Sequence, residues 1–302
     1  MQIIKNRKIF FIISGLIVAA SIAATAIFGL KFGVDFTGGT LTEFSYKTIS
    51  DVAPAPSKAA LIEGLDPLNL GEYSLREAGE QGYILRTGIL AEDQKNLVVG
   101  LLSGTDAHTE RFTEIGPTIG AELRSKAWVA MLLVALAIIF FIAFVFRHVS
   151  EPVSSWKYGL IAIVALLHDI IIPVGVFAVL GHYVGAEVGI LFVMALLAIL
   201  GYSVNDTIVV FDRVRENLRE NAEGNKREDF DITVGRALGQ TYVRSINTSL
   251  TTLAVLIALY ILGASVTAHF ALVLIAGVIA GTYSSIFLAT PLLVAANNWQ
   301  NK

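Results

Sequence analysis

The chain of 302 residues is 55% hydrophobic and 16% charged, with a mean hydropathy of +0.68 and a formal net charge of -3. Such a composition excludes an ordinary soluble enzyme and puts the membrane class first. Without cysteine there is no disulfide framework and no thiolate metal or redox site; with neither a long basic tail nor basic residues interleaved with aromatics, nothing points to nucleic acid.

Six stretches, near 9–30, 127–146, 158–180, 188–211, 246–262 and 268–289, approach the roughly 20 residues a helix needs to cross hydrocarbon. Between the first two, residues 31–126 are mostly polar and suffice for one small domain. The predicted organisation is an anchor at 1–30, an exported α+β domain at 31–126, and a five-helix remainder at 127–302 with a cytoplasmic connection at 212–245. Lys5, Arg7, Lys8, Arg147, Lys157 and the cluster from Arg213 to Arg244 mark one side, whereas 182–187 and 263–267 carry no Lys or Arg. The positive-inside rule then makes both termini cytoplasmic. The first span is taken as an uncleaved anchor, because its apolar run continues past Ala26 through Ile27, Phe28 and Leu30, beyond the length of a signal core.

Just after this span, G-V-D-F-T-G-G-T (33–40) lacks the spacing of a phosphate loop. It reads as a turn in which Gly38 and Gly39 lead into a strand, with Asp35 as an interface or hinge carboxylate in the second reading. The domain is then expected as strand 40–46, helix 57–64, strand 71–77, strand 82–87, helix 92–102 and strand 111–115, the β-α-β-β-α-β order of a ferredoxin-like unit. Asp51 to Pro56 is a loop. Ser57 suits an N-cap, and Glu92 and Asp93 suit the positive end of the second helix. No cluster of His, Asp and Glu suggests a metal or a catalytic centre, so a binding or lever module is expected, without cofactor. A helix from Pro117 runs into the second span.

The third span holds His168-Asp169 near its middle, either a buried polar pair satisfied by a neighbouring helix or part of a proton relay. The fourth span is the most unusual: Y-S-V-N-D-T (202–207) places Asp206 in apolar sequence, at a cost of about 2.5 to 3.5 kcal/mol on insertion scales. Helical spacing puts Tyr202, Ser203, Asp206, Val210 and Arg213 near one face, with Asn205 beside it and Thr207 adjacent. The connection 218–241 contains an amphipathic stretch, Phe230, Val234, Ala237 and Leu238, expected to lie along the membrane surface or on a partner, the surface being the commoner case. The fifth span opens with V-R-S-I-N-T-S-L-T-T, including Arg244, Asn247 and Thr248. An Asp206–Arg244 pair would offset the cost of both charges. In the sixth span, Gly277 and Gly281 form a small-xxx-small contact, internal or with another subunit, and Thr282 to Ser285 add polarity.

G-V-D-F-T-G-G-T, I-G-P-T-I-G-A-E-L (115–123), A-L-L-H-D (165–169), G-Y-S-V-N-D-T-I-V-V-F-D-R-V-R-E-N (201–217), R-S-I-N-T-S-L-T-T (244–252) and G-T-Y-S-S-I-F (281–287), in this order, resemble the SecD/SecF family of bacterial protein-export membrane proteins, on its SecF side. The resemblance spans nearly the whole chain. It implies half of an RND-superfamily assembly with SecD, associated with the SecYEG channel and often YajC, acting on translocating preprotein in the inner membrane and driven by the proton motive force. It also implies proton transport by Asp206 and Arg244, and a coupling role for Asp35 between the domain and the bundle. The connection 147–156 departs from the family in length and charge. Two other classes remain open on the sequence. An intramembrane aspartyl protease would use Asp169 and Asp206 as a dyad, although neither has the G-x-G-D context. A stand-alone RND-type exporter would need a larger exported region and both halves in one chain.

Overall fold

The computed structural model describes residues 2–46, 56–78, 81–104, 108–145, 153–225, 228–263 and 265–300. The loop expected at 51–56 and the connection at 147–156 lie outside the described residues except for Pro56 and 153–156. The chain divides into two compact units: Lys31–Trp128 with Glu187–Ile190, and the remaining helices.

After α1 (Gln2–Lys5) and α2 (Arg7–Phe28), the first unit begins with a one-turn helix α3 (Val34–Thr37). Gly38 and Gly39 then turn the chain into β1 (Gly39–Ser45) with positive φ of 75° and 122°. A Cβ on Gly39 would lie 2.5 Å from the Thr87 carbonyl oxygen, so only glycine fits beside β3. Next come α4 (Lys58–Leu65), β2 (Ser74–Glu77), β3 (Gly82–Thr87), α5 (Glu92–Gly104) and β4 (His108–Ile115). Ser57 caps α4 by accepting from the Ala60 amide at 3.3 Å. The sheet order is β2-β3-β1-β4 with every pair antiparallel, the ferredoxin-like arrangement. Phe44, Leu75 and Leu85 of the strands share one core with Leu61, Leu65, Val98 and Leu102 of the helices. β2 starts three residues later than the alternation suggests, because a 3-10 turn at Asp66–Leu68 is followed by Asn69 and Gly71 at positive φ.

Among the described residues six helices are long and apolar enough to cross a membrane. They are α2, α6 (Pro117–Val145), α7 (Ser155–Tyr183), α8 (Ile190–Glu223), α9 (Phe230–Leu262), and α10 (Ser265–Ser284) running through a π-helical turn at Ser285–Ala289 into α11 (Thr290–Gln300). About half of the apolar window is buried in α7 (50%), α8 (50%) and α10–α11 (56%), but only 11% in α2, 6% in α6 and 17% in α9. The first three are therefore the inner helices. Small residues set their spacing: a Cβ on Gly175 of α7 would lie 2.5 Å from Ser21 Cα of α2, and one on Gly277 of α10 would lie 2.2 Å from Ile199 of α8. Gly277 and Gly281 thus serve an internal contact with α8, Gly281 facing Ser203.

The amphipathic stretch expected on the membrane surface is instead the first two turns of α9. Phe230, Val234 and Ala237 are buried in the core that also holds Phe211 and Val214 of α8. The 3.6-residue period continues without a break from this stripe into the fifth span, so one long helix forms in place of two. A polar clasp joins its start to the end of α8. Oε2 of Glu228 accepts from Asn221 Nδ2 (3.0 Å), Thr233 Oγ1 (2.8 Å) and Arg236 Nη2 (2.9 Å). These donors, Asn221 first, hold the Glu228 carboxyl below its ordinary value of 4.5. A depressed carboxyl contributes stability that is fully present above the unfolded value and is lost as pH falls through the folded one. Glu228→Gln is therefore expected to lower the unfolding midpoint in detergent micelles at pH 7, with the gap to the parent chain closing below about pH 4.5. A gap independent of pH would mean that the carboxylate charge is not what the clasp holds.

Candidate functional site

Among the described residues two carboxylates lie in the interior of the bundle, and each accepts from at least one hydroxyl of a neighbouring helix. Asp169 is the central residue of the 29-residue α7 and has no exposed surface. Its Oδ2 accepts from Ser203 Oγ of α8 and from Ser284 Oγ of α10, the latter at 2.7 Å. Its Oδ1 meets Nδ1 of His168 at 2.8 Å. The 100° turn between adjacent helical positions does not keep these two apart: both side chains bend toward the same interhelical space. The ring of His168 stacks on Tyr283 of α10 with centroids 5.9 Å apart and planes at 15°.

Asp206 lies one turn beyond Ser203 on α8 and is 6% exposed. Its Oδ1 accepts from Ser245 Oγ of α9 at 3.0 Å, and its buried Oδ2 has no hydrogen-bond partner among the described residues. The donor is thus the neighbour of Arg244 and not Arg244 itself. Consecutive residues of α9 point to different faces: Ser245 is buried toward α8 and Arg244 is exposed. Ser203, placed by its spacing beside Asp206, is committed to Asp169, and the Tyr202 hydroxyl donates to Ser249 at 3.2 Å. Thr207 shares a 2.9 Å hydrogen bond with Ser285. Asn205 and Thr248 are exposed. A protease dyad needs two carboxylates sharing one proton; here Asp169 and Asp206 take separate hydroxyls from separate helices.

Asp35 has a third arrangement, within the domain unit. Its Oδ2 accepts at 2.8 Å from the amide of Ile190, the first residue of α8. The approach is close enough that a Cβ on Gly189 would lie 2.5 Å from this oxygen. An orphan amide at a helix start is satisfied, with negative charge at the positive end of the helix dipole. Alongside, the amide of Val188 donates to the Lys31 carbonyl (2.7 Å) and that of Gly33 to the Val188 carbonyl (2.9 Å). Glu187 Oε1 receives Arg76 of β2 at 3.1 Å and Arg86 of β3 at 3.2 Å.

Sequence reasoning did not single out Ser245, Ser284 or Glu187. The T-Y-S-S run marked α10 as polar without saying which hydroxyl meets which acceptor. For Glu187 a signal existed: in the β2–β3 register Arg76 opposes Ile84 and Ser74 opposes Arg86, so the two arginines are diagonal neighbours on one face and call for an acid.

Fold and site together define a polytopic membrane protein with titratable groups inside its bundle and a ferredoxin-like insertion whose carboxylate meets the start of a carboxylate-bearing helix. Residues 98–299 match the family described as Protein export membrane protein SecD/SecF, C-terminal, and residues 23–48 match the SecD/SecF GG Motif. The chain is 40% identical to the protein translocase subunit SecF of Thermobaculum terrenum and 34% identical to that of Anaerolinea thermophila, covering 100% of this chain in both cases and 95% and 96% of those proteins. The crystal structure of SecDF, a translocon-associated membrane protein from Thermus thermophilus, superposes with a TM-score of 0.84 at 29% identity, over 100% of this chain and 39% of that one. A second SecDF structure, in a super-membrane-facing form, gives a TM-score of 0.64 at 28% identity with the same coverage. The chain belongs to the SecD/SecF family of protein-export membrane proteins and is a multi-pass membrane protein.

The Ser245–Asp206 contact is expected to show in a double-mutant cycle. Ser245→Ala and Asp206→Asn should couple by about 0.5 to 2 kcal/mol in micellar unfolding, whereas Arg244→Gln should stay within about 0.5 kcal/mol of the parent chain. A larger loss from Arg244→Gln than from Ser245→Ala would restore the arginine as the structural partner.

Proposed function

We propose that this chain is the SecF-type accessory subunit of the Sec preprotein translocase, paired with a SecD subunit at the SecYEG channel, with YajC as a further associate. In this reading it uses the proton motive force to promote late export of polypeptides. Both termini lie in the cytoplasm of a bacterial cell, and the α+β domain lies on the far side of the inner membrane. The observation that carries the reading is Asp206: a buried carboxylate with one oxygen on Ser245 and the other free to carry a proton. Exposed Arg244, Asn247, Thr248 and Thr251 support the SecD partnership. They recur at i, i+3, i+4 and i+7 on one face of α9, and Asn205 is exposed on α8. Polar side chains on spans face protein or water in preference to lipid, and a second six-helix half would cover them.

The cycle then rests on this chain's own groups. Loss of the Asp206 proton leaves a carboxylate held by Ser245 and drawn toward the positive charge of Arg244; gain of a proton releases that attraction, and α8 and α9 change their packing. A proton drives such a change only through its different affinity for the two states. Asp35, on the amide of Ile190, ties the start of α8 to the domain, and Glu187 holds the adjoining segment to β2 and β3. Movement of α8 would thereby reach the module that meets the emerging polypeptide.

In inverted vesicles containing SecD, SecYEG and the translocation ATPase, Asp206→Asn is expected to assemble normally and to abolish stimulation of export by the proton motive force. Full stimulation with this variant would remove Asp206 from the role. In the same assay Asp35→Ala should lose most of the stimulation and Asp35→Asn should keep more, because an amide oxygen still accepts from Ile190. Equal losses would show that the hydrogen bond to α8 is not the coupling element.

A further inference from the structure

The reading above uses Asp206 and leaves the more deeply buried pair on α7 without a task. Asp169 receives two serine hydroxyls on Oδ2 and His168 on Oδ1. In the arrangement with Asp169 ionised, the carboxylate only accepts, the His168 nitrogen facing it, Nδ1, carries the hydrogen, and the neutral ring presents a bare lone pair at Nε2. That Nε2 is buried and has no hydrogen-bond partner among the described residues, although His168 is only 3% exposed. A buried imidazole nitrogen without a partner calls for a physical reason. We propose that the His168–Asp169 pair is a second proton-binding site of the bundle, separate from Asp206, in which Nε2 of His168 takes the proton and the Asp169 carboxylate balances its charge.

The step is a proton transfer: a hydronium ion gives its proton to Nε2, one of its O–H bonds breaking as the Nε2–H bond forms and a water molecule being released, and the pair passes from a net charge of -1 to zero. In a low-dielectric interior, a hydrogen-bonded ion pair is tolerated better than a lone carboxylate. The surroundings fit. Tyr283 stacks on the ring, and its hydroxyl donates to the Phe10 carbonyl (3.3 Å) and accepts from Ser14 (3.2 Å), both on α2. Of the titratable groups on the packed helices, Tyr283 of α10 stacks on the ring, and Asp206 follows Ser203 by one turn on α8; from α2, uncharged Ser14 reaches Tyr283. Ion pairing of Asp169 with Lys or Arg is absent among the described residues. The hydroxyls tolerate more than one proton arrangement: Ser284 Oγ has the Gly281 carbonyl at 3.1 Å as an alternative acceptor to Asp169. Immediately after Ser284 the helix widens into the π turn at Ser285–Ala289, with the Thr290 hydroxyl on the Ser285 carbonyl at 2.6 Å. Such turns recur at functional sites.

The test uses the full chain reconstituted in phosphatidylethanolamine–phosphatidylglycerol bilayers. His108, His148, His182 and His269 are replaced by glutamine, so that ¹⁵N-labelled histidine reports on His168 alone by solid-state NMR. The expected result is a ring with Nδ1 protonated and Nε2 bare at high pH, converting to a doubly protonated ring as pH falls. This conversion should persist in Asp206→Asn, and Asp169→Asn should weaken proton binding at least about tenfold. Should the quadruple replacement fail to fold, the uniformly labelled parent chain compared with His168→Gln identifies the same signal by its loss. A ring that keeps one neutral form wherever the protein is folded would overturn the proposal, as would titration unaffected by Asp169→Asn or abolished by Asp206→Asn. Vesicle export with Asp206→Asn is a separate readout, so failure here leaves the Asp206 reading to be judged by its own assay.

Discussion

An acceptor placed in hydrocarbon has to find its donors within the protein, because lipid supplies none. The arrangement of the inner helices follows from this constraint. Asp169 and Asp206 each need hydroxyls at hydrogen-bonding distance, and those hydroxyls come from α8, α9 and α10. To bring them that close, the helices meet at small residues: Gly277 admits Ile199, Gly281 admits Ser203, and Gly175 admits the backbone of α2 at Ser21. Polar satisfaction and close packing are thus one problem with one solution. The outer helices α2, α6 and α9 face few such demands and leave most of their apolar surface exposed.

The two intramembrane carboxylates differ in how fully they are satisfied. Two serine hydroxyls and His168 converge on Asp169 and join α7 to α8 and α10. Asp206 has one donor, and its second oxygen is bare. In a buried network an unsatisfied atom leaves room for change, and each site has one: Oδ2 of Asp206 itself and Nε2 of His168 beside Asp169. A further hydroxyl pair, Thr207 of α8 and Ser285 of the π turn, bridges two of the same helices.

The start of α8 obeys the same rule in a different solvent. A helix N-terminus has orphan amides, and Asp35 satisfies that of Ile190 from the sequence that Gly38 and Gly39 turn into β1. The double glycine serves a steric need at β3, while the carboxylate three residues upstream of it serves the helix. Two needs met within residues 35–39 make one short motif that ties strand, turn and helix together.

Much of this was legible from the chain itself. Six apolar stretches of membrane-spanning length, the β-α-β-β-α-β order, and the carboxylates in apolar sequence all follow from local composition and period, which tertiary contacts do not alter. The identity of each carboxylate's partner does not follow. Helical spacing placed Ser203 beside Asp206 and offered Arg244 as its mate; the packed bundle gives Ser203 to Asp169 and Ser245 to Asp206. A period says which residues share a face, but the rotation of each helix against its neighbours decides what that face meets, and one residue along α9 turns the side chain by about 100°. The stripe at Phe230 to Leu238 shows the same limit: its amphipathic period was readable, and only the packing of α9 against the end of α8 decided that it faces a protein core. What the residues determine alone is which groups need a partner; where those partners lie is a property of helices brought together from distant parts of the chain.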